Sequence, residues 1–346
     1  MSKKIKLSVV VPCYKTAKYL PKCLYSLLNQ TLKEIEIVAV NDGSPDDCLK
    51  ILKEYKKIYG DKIIIIDKKN EGPFKGRLDG IKKSNGEYIG FLDSDDYVLE
   101  YYAEKLYNAA KNNKADIAVC GFDRIDLETN KLYSREMTKF KHKTFNVQDN
   151  PGLLVEVNTA PWNKIYKADL LKNIIDINSN PRFLEDMMFL ELAYLKCNKI
   201  TFINESLVYY MVRKGSIMNT VNTDILPEMY KAMQEVRSVY DSNNPKMLDY
   251  IDANAFLHLG VSLMYRLSEN KEVDFNKVLK NNTKYLNDNF PNWINNKYIK
   301  LSYIRKNKGS NKKLWILKVV YKLHMFKLFL ATYKFMINHI GIDIKW

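Results

Sequence analysis

Short apolar runs separated by amphipathic stretches set the rhythm of the first 120 residues. L-S-V-V-V (7–11) is rich in β-branched residues and stops at Pro12. I-E-I-V-A-V (35–40), K-I-I-I-I (62–66), Y-I-G-F-L (88–92) and D-I-A-V-C-G (116–121) repeat the type. Runs this short and this apolar predict strands covered on both faces. Between them, Leu20, Leu24, Leu27 and Leu28 recur at helical spacing over 17–30. Leu49, Ile51, Leu52, Tyr55 and Ile58 form a second apolar face, which Asp46 or Asp47 can cap. Segment 72–83 reads as loop and helix, and 99–111 as a further helix. Strand and helix alternate at roughly 20–30 residues per unit, so the pattern predicts an α/β fold with a mostly parallel sheet and flanking helices.

Beyond 121 the rhythm changes. From 122 to 145 polar and aromatic residues alternate around turn residues at 126–130, which predicts a hairpin or a flap. P-R-F-L-E-D-M-M-F (181–189) opens an apolar helix running to Lys196. From 224 to 290 the spacing is helical, most clearly over 229–240 and 247–267. A Lys-rich stretch, 297–313, leads into an apolar and aromatic run, 314–340, broken by Lys318, Lys322, Lys327 and Lys334. Those lysines argue against a spanning helix, because each costs about 2.5–3.5 kcal/mol at the bilayer centre. The pattern predicts instead a basic amphipathic tail on an anionic membrane surface, where each lysine contributes about 1 kcal/mol. A helix packed on its own domain or on a partner subunit has the same signature. The expected division is 1–220, 221–296 (helical) and 297–346 (basic tail).

Composition changes this picture only in places. A hydrophobic fraction of 46% over 346 residues suffices for a sizeable core. The net charge of +15 is uneven: residues 297–346 hold twelve Lys/Arg against Asp343 alone, which leaves +4 for the first 296 residues. Basicity therefore belongs to the tail, and the excess of Lys over Arg argues against a nucleic-acid partner. Cys13, Cys23, Cys48, Cys120 and Cys197 are odd in number and never in C-x-x-C spacing, as reduced thiols of a cytoplasm would be. His142, His258, His324 and His339 show no metal-ligand spacing. Lys6 leads straight into a strand, with no signal-peptide pattern before it.

Candidate chemistry lies at the strand ends, because ligands of such sheets bind outside the carboxyl ends of the strands. Pro12-Cys13-Tyr14, Asn41-Asp42-Gly43-Ser44, residues 67–72 and Asp93-Ser94-Asp95-Asp96 all fall there. Three carboxylates within four residues repel one another unless a positive group is near. A divalent cation bridging to phosphates is one solution, and a capped, solvated turn is another. Asp42 suits a base N–H or a ribose hydroxyl, or an Asx-turn with Ser44. N-E-G-P-F-K-G-R (70–77) puts two glycines and two cations where phosphates would lie, with Arg77 able to clamp them or to start a solvated helix. No G-x-G-x-x-G follows a strand and no G-x-x-x-x-G-K-[ST] occurs, which sets aside dinucleotide oxidoreductases and P-loop NTPases.

Taken in order, V-V-V-P-C-Y (9–14), L-L-N-Q-T (27–31), V-A-V-N-D-G-S-P-D (38–46), N-E-G-P-F-K-G-R-L-D-G-I (70–81) and G-E-Y-I-G-F-L-D-S-D-D (86–96) resemble family-2 glycosyltransferases of the bacterial cell-surface polysaccharide type. The resemblance covers about residues 6–220. It implies a Rossmann-like GT-A domain over 1–220 with a helical C-terminal appendage, and inverting, metal-dependent transfer from a nucleotide sugar. On that basis Asp93-Ser94-Asp95 is the D-x-D element, with Asp93 near the ribose and Asp95 holding Mn2+ or Mg2+ against the diphosphate. Asp42 faces the nucleobase, Arg77 approaches the phosphates, and Pro12, Tyr14, Asn70 and Ser94 line the same site.

P-W-N-K-I-Y-K (161–167) resembles a W-x-K-[LI]-Y segment, which implies Trp162 and Lys164 at the acceptor side; simple packing is the alternative. Glu185-Asp186 match the family's E-D pair, implying Asp186 as general base and Glu185 as an acceptor or orienting contact, while a helix cap asks for the same residues. Y-Y-M-V-R-K-G-S-I (209–217) resembles a closing loop that brings Arg213 and Ser216 to the diphosphate or metal. The chain departs from the family at G-R-L-D-G (76–80), where A-R-N-x-G is usual. The function implied is transfer from a nucleotide sugar, UDP-linked by expectation, to a glycan or lipid-linked acceptor of polysaccharide, capsule or teichoic acid synthesis. The enzyme is expected in the cytoplasm, peripheral on the inner membrane face, with a homo-oligomer left open. Two alternatives stand beside it. A sugar-nucleotide nucleotidyltransferase would open with a Gly-rich loop where P-C-Y-K stands, and an inactive sugar-binding homologue has no need of Asp42, Asp93, Asp95 and Asp186 together.

Overall fold

The computed structural model describes residues 4–172, 174, 179–213 and 222–340, with side chains to 337. The chain forms two compact units, Met1–Asp149 with Asn158–Lys214, and Asn150–Val157 with Gly215–Trp346.

The first unit opens with β1 (Leu7–Cys13), α1 (Leu20–Leu28), β2 (Ile35–Asp42), α2 (Cys48–Tyr59), β3 (Ile63–Lys68), α3 (Pro73–Lys83) and β4 (Tyr88–Phe91). It continues through β5 (Tyr97–Val98), α4 (Tyr102–Asn113), β6 (Ile117–Asp126), β7 (Leu132–Glu136) and β8 (Thr144–Asn146). It ends with β9 (Lys164–Lys167), α5 (Ala168–Lys172), α6 (Glu185–Leu195) and β10 (Lys199–Val212). Strand order is β3-β2-β1-β4-β9-β6-β10-β5, with β7 pairing β6 beyond β9 and β8 pairing β10. Strands β3, β2, β1 and β4 are parallel, in a register that aligns Val9 with Ile37 and with Gly90. Strand β9 enters antiparallel to both β4 and β6, whereas β6 and β10 run parallel.

The apolar runs become strands because both faces of the sheet are covered. Val9 and Val11 join Leu20, Leu24 and Leu27 of α1 in one core. Val10 points the other way, onto α3. There Gly80 is required by close approach: a Cβ at that position would lie 2.2 Å from Val10 Cγ1. A second glycine is fixed by conformation. Gly43 has φ +62° and a Cβ there would meet Asn70 N at 2.7 Å, so the turn after β2 nests against the loop after β3.

The second unit is helical: α7 (Leu226–Asn243), α8 (Leu248–Ala255), α9 (Leu263–Glu269), α10 (Phe275–Asn289), α11 (Leu301–Lys306), α12 (Lys312–Lys322) and α13 (Phe326–Ile340). A π-helical section, Phe256–Ser262, joins α8 to α9. Its loosened carbonyls find side-chain donors, since Asn282 Nδ2 donates to Leu259 O at 3.1 Å and the Tyr321 hydroxyl donates to Gly260 O. The short helical segment Pro151–Glu156 belongs to this unit as well. Asn311 clasps it, donating from Nδ2 to Gly152 O (2.8 Å) and from its amide to Glu156 Oε1 (2.7 Å). The run expected as one helix over 314–340 is two helices, α12 and α13, broken at 323–325 where His324 takes φ +57°. Among the described residues, no helix is long and apolar enough to cross a membrane.

Candidate functional site

The acidic turn follows β4 directly. Asp96 N donates to Asp93 O at 3.0 Å, which closes the turn. Asp96 itself is buried and its Oδ1 accepts from Met211 N at 2.7 Å, so it tethers β10 to the turn instead of facing a ligand. Burial first, then Asp95 and Asp93, push the Asp96 carboxyl well above the usual carboxylate range. Ser94 shares a 2.7 Å hydrogen bond with the Thr16 hydroxyl. Asp95 is ion-paired with Arg213, and its carboxyl is raised by burial and then by Asp93. Ser216 lies outside the described residues.

Arg77 ties this turn to a second acidic element. It lies on α3 at 3% exposure, on the helix that Gly80 lets pack closely against Val10 of β1. Its Nη2 is 3.5 Å from Asp93 Oδ1, and its Nη1 is 2.7 Å from Asp186 Oδ1. Asp186 stands in the first turn of α6, where the helix dipole favours negative charge. The contact is ionic rather than a lined-up hydrogen bond, because Arg77 Nη1 and Nε and Asp186 Oδ1 have no aligned partner. Oδ1 is sealed, yet 33% of the Asp186 side chain stays open. Burial raises the Asp186 carboxyl and Arg77 pulls it back down, with burial the larger effect. The same pairing holds the guanidinium firmly protonated.

Glu185 is pushed up to about 7, chiefly by burial and then by Asp186 beside it. Its folded form therefore binds a proton more tightly than its unfolded form. The stability this contributes is present below the ordinary glutamate range and lost as pH rises through about 7. Glu185→Gln, which stays neutral, is expected to melt at a higher temperature than the wild type at about pH 8, with the gap much narrower at about pH 5. Thermal denaturation at both pH values checks this, and equal differences at the two would exclude the shift.

Asp42 shapes the neighbouring loop. Its Oδ1 and Oδ2 accept from the amides of Glu71 (2.9 Å) and Gly72 (2.8 Å), while Asn70 Nδ2 donates to Asp42 O (2.9 Å). Both residues thus lock residues 70–72 onto the end of β2, with each Asp42 oxygen accepting one amide and keeping a further lone pair. Pro12 lies under α3, where a Cβ on Gly76 would be 3.8 Å from its own Cβ. Tyr14 is 43% exposed beyond it, and the Lys15 amide donates to Ser44 Oγ at 2.8 Å, joining the first two strand-end turns.

Trp162 and Lys164 are core residues. The Trp162 ring stacks on Tyr210 at 5.3 Å and meets Phe122 edge-on. Lys164 is fully buried, with Nζ donating to Asn158 O (2.8 Å), Ala160 O (2.7 Å) and Asn163 Oδ1 (2.8 Å), and burial lowers it to about 7. Closed in by oxygens, it fastens the 158–163 loop from within the core. The structure thus brings Arg77, Asp93, Glu185 and Asp186 together, with Asp95 on the same turn as Asp93 and paired to Arg213 from the end of β10. Sequence reasoning passed over Thr16 and the Asp96–Met211 tether, for which no local pattern exists.

The profile described as glycosyl transferase family 2 matches residues 8–174. The chain is 34% identical over 248 residues to the poly(ribitol-phosphate) beta-glucosyltransferase of Bacillus spizizenii, covering 69% of this chain and 37% of that protein. It is 30% identical over 223 residues to glycosyltransferase GlyG of Streptococcus pneumoniae, covering 62% of this chain and 73% of that one. The chain spans about a third of the length of the curated relatives it matches at 32% and 34% identity. Among solved structures, S. aureus TarS 1-349 in complex with UDP-GlcNAc superposes with a TM-score of 0.68 at 20% identity, over 98% of this chain and 93% of that one, which is a likeness of fold.

Proposed function

The chain belongs to glycosyl transferase family 2, and from that premise we propose that it moves a sugar from a UDP-linked donor, with inversion and with a divalent cation, to a hydroxyl of a cell-surface glycan or lipid-linked saccharide. The observation that carries the reading is the single guanidinium of Arg77, in contact with both Asp93 and Asp186. It links the acidic turn proposed to take the diphosphate to the carboxylate proposed as the base.

Inversion needs one base. The acceptor oxygen attacks the anomeric carbon as the bond to the diphosphate oxygen breaks on the opposite face. Asp186 receives the hydroxyl proton, and a carboxyl raised by burial is better matched to that task near neutral pH than an ordinary one. Arg77 keeps Asp186 ionised between turnovers and holds it at a fixed distance from Asp93. Glu185, at about 7, is suited to hydrogen-bond an acceptor in either protonation state.

No set of three or more metal-ligating side chains is gathered among the described residues. Asp93 and Asp95 nevertheless fit a hard cation, since Mg2+ and Mn2+ are commonly held by one or two carboxylates plus substrate phosphate oxygens. Asp95 would be the protein ligand, released from Arg213, and the ion would neutralise the departing diphosphate. The UDP donor is placed first because the neighbour of like fold was solved with UDP-GlcNAc. A wall polymer heads the acceptor classes because relatives carry the names poly(ribitol-phosphate) beta-glucosyltransferase and minor teichoic acid biosynthesis protein GgaB.

Thermal shift and donor hydrolysis across UDP-, dTDP- and GDP-sugars test the donor. A UDP-sugar is expected to raise the melting temperature and to be hydrolysed with Mn2+ or Mg2+, with EDTA removing turnover. A response confined to dTDP- or GDP-sugars would overturn the donor class. Turnover unchanged by EDTA would overturn the metal.

A further inference from the structure

The two helices α12 and α13 each bury one face. Leu314, Leu317 and Tyr321 of α12 and Phe326, Leu330 and Tyr333 of α13 are all buried. Lys334 is turned inward too, its Nζ bonded to Ser268 O at 2.6 Å and paired with Glu269 at 2.8 Å. The hairpin is therefore an anchored part of the helical unit.

The opposite faces are the unusual feature. Ile316 and Val319 lie on the outer side of α12, Leu323 and Met325 follow in the connection, and Leu328 lies on α13. All are exposed, Leu323 and Leu328 to 61% and 60%. Lys312, Lys313, Lys322 and Lys327 are exposed on the same two helices. No Asp or Glu occurs between Asp288 and Asp343. An exposed apolar stripe flanked by Lys312, Lys313, Lys322 and Lys327 is not an ordinary solvated face.

We propose that the outer face of the α12–α13 hairpin docks on the surface of an anionic lipid bilayer. The charge selects the partner. A second copy of this chain would set lysines against lysines, whereas an anionic headgroup layer accepts them while its acyl boundary takes Ile316, Val319, Leu323 and Leu328. Among the described residues neither helix is long and apolar enough to cross the bilayer. The hairpin lies in the interface, with its buried face still packed on the protein.

Co-sedimentation with vesicles tests this independently of catalysis. The full chain is expected to pellet with phosphatidylcholine–phosphatidylglycerol vesicles, to remain in the supernatant with phosphatidylcholine alone, and to be released by high salt. Lys322→Gln with Lys327→Gln should weaken binding roughly fivefold per lysine, or about 25-fold together. Leu323→Ser with Leu328→Ser should weaken it by more than about tenfold, with the melting temperature unchanged because both side chains are already exposed. Absence of the wild type from phosphatidylglycerol vesicles, or variants that bind as well as the wild type, would overturn the proposal. So would self-association, seen in sedimentation equilibrium, that the leucine pair abolishes while vesicle binding is nil.

Discussion

Asp186→Asn is expected to lower kcat for sugar transfer by about 10²–10⁴-fold, the usual weight of a positioned general base. Asparagine keeps the shape of the side chain and the amino end of α6, but it cannot take the proton of the acceptor hydroxyl. Donor binding is expected to survive, because the strand-end turns around Asp42, Ser94 and Asn70 are held by bonds that Asp186 does not make. The variant also removes one of two carboxylates from Arg77, so a modest loss of stability accompanies it. Steady-state kinetics with donor binding measured in parallel separates these effects. A variant with kcat close to that of the wild type would remove Asp186 from the mechanism.

Arg77→Met should affect both stability and pH dependence. Arg77 is the cation on which Asp93 and Asp186 converge, and removing one partner of a buried ion pair typically costs about 3–5 kcal/mol. Burial already raises Asp186, and Arg77 is what pulls it down. Without the guanidinium the Asp186 carboxyl rises further, so its basic form appears only at higher pH. The acid limb of kcat/KM against pH should move upward in Arg77→Met and return part of the way in Arg77→Lys, which restores charge but not the fork. Denaturant unfolding gives the stability, and a pH–rate profile gives the limb. Lost stability with an unmoved limb would reduce Arg77 to a structural strut.

What the sequence discloses of this fold depends on how local each signal is. Strands β1 and β2 are legible because nearly all of their side chains are buried, which leaves the continuous apolar runs 9–11 and 37–40. Strand β10 is not, because Asn204 and Glu205 are exposed in its middle, at the irregularity before Ser206, and its pairing comes from the distant β6. The break between α12 and α13 is silent for a different reason. His324 takes a left-handed conformation with no glycine or proline to announce it. The acids of the site are visible as a cluster and as a motif. What Arg77 does to them is not, since a cation beside glycines reads as a phosphate ligand until α3 is seen to press it between two carboxylates. Lys164 misleads in the same way, because nothing in K-I-Y-K shows that carbonyl oxygens enclose it.

The foothold at Asn150–Val157 bears on how such a chain can be cut or inherited. That segment folds with the helices, so the polypeptide passes from one unit to the other three times and no single cleavage separates them. A fragment ending near 214 would keep Leu153, Leu154 and Val155 while losing α8, Asn311 and Tyr298, which cover that segment. Each apolar side chain so returned to water costs about 1.5–3 kcal/mol. Exchange of one helical half for another between such genes would have to carry this eight-residue stitch with it, which favours the two halves travelling as one heritable piece.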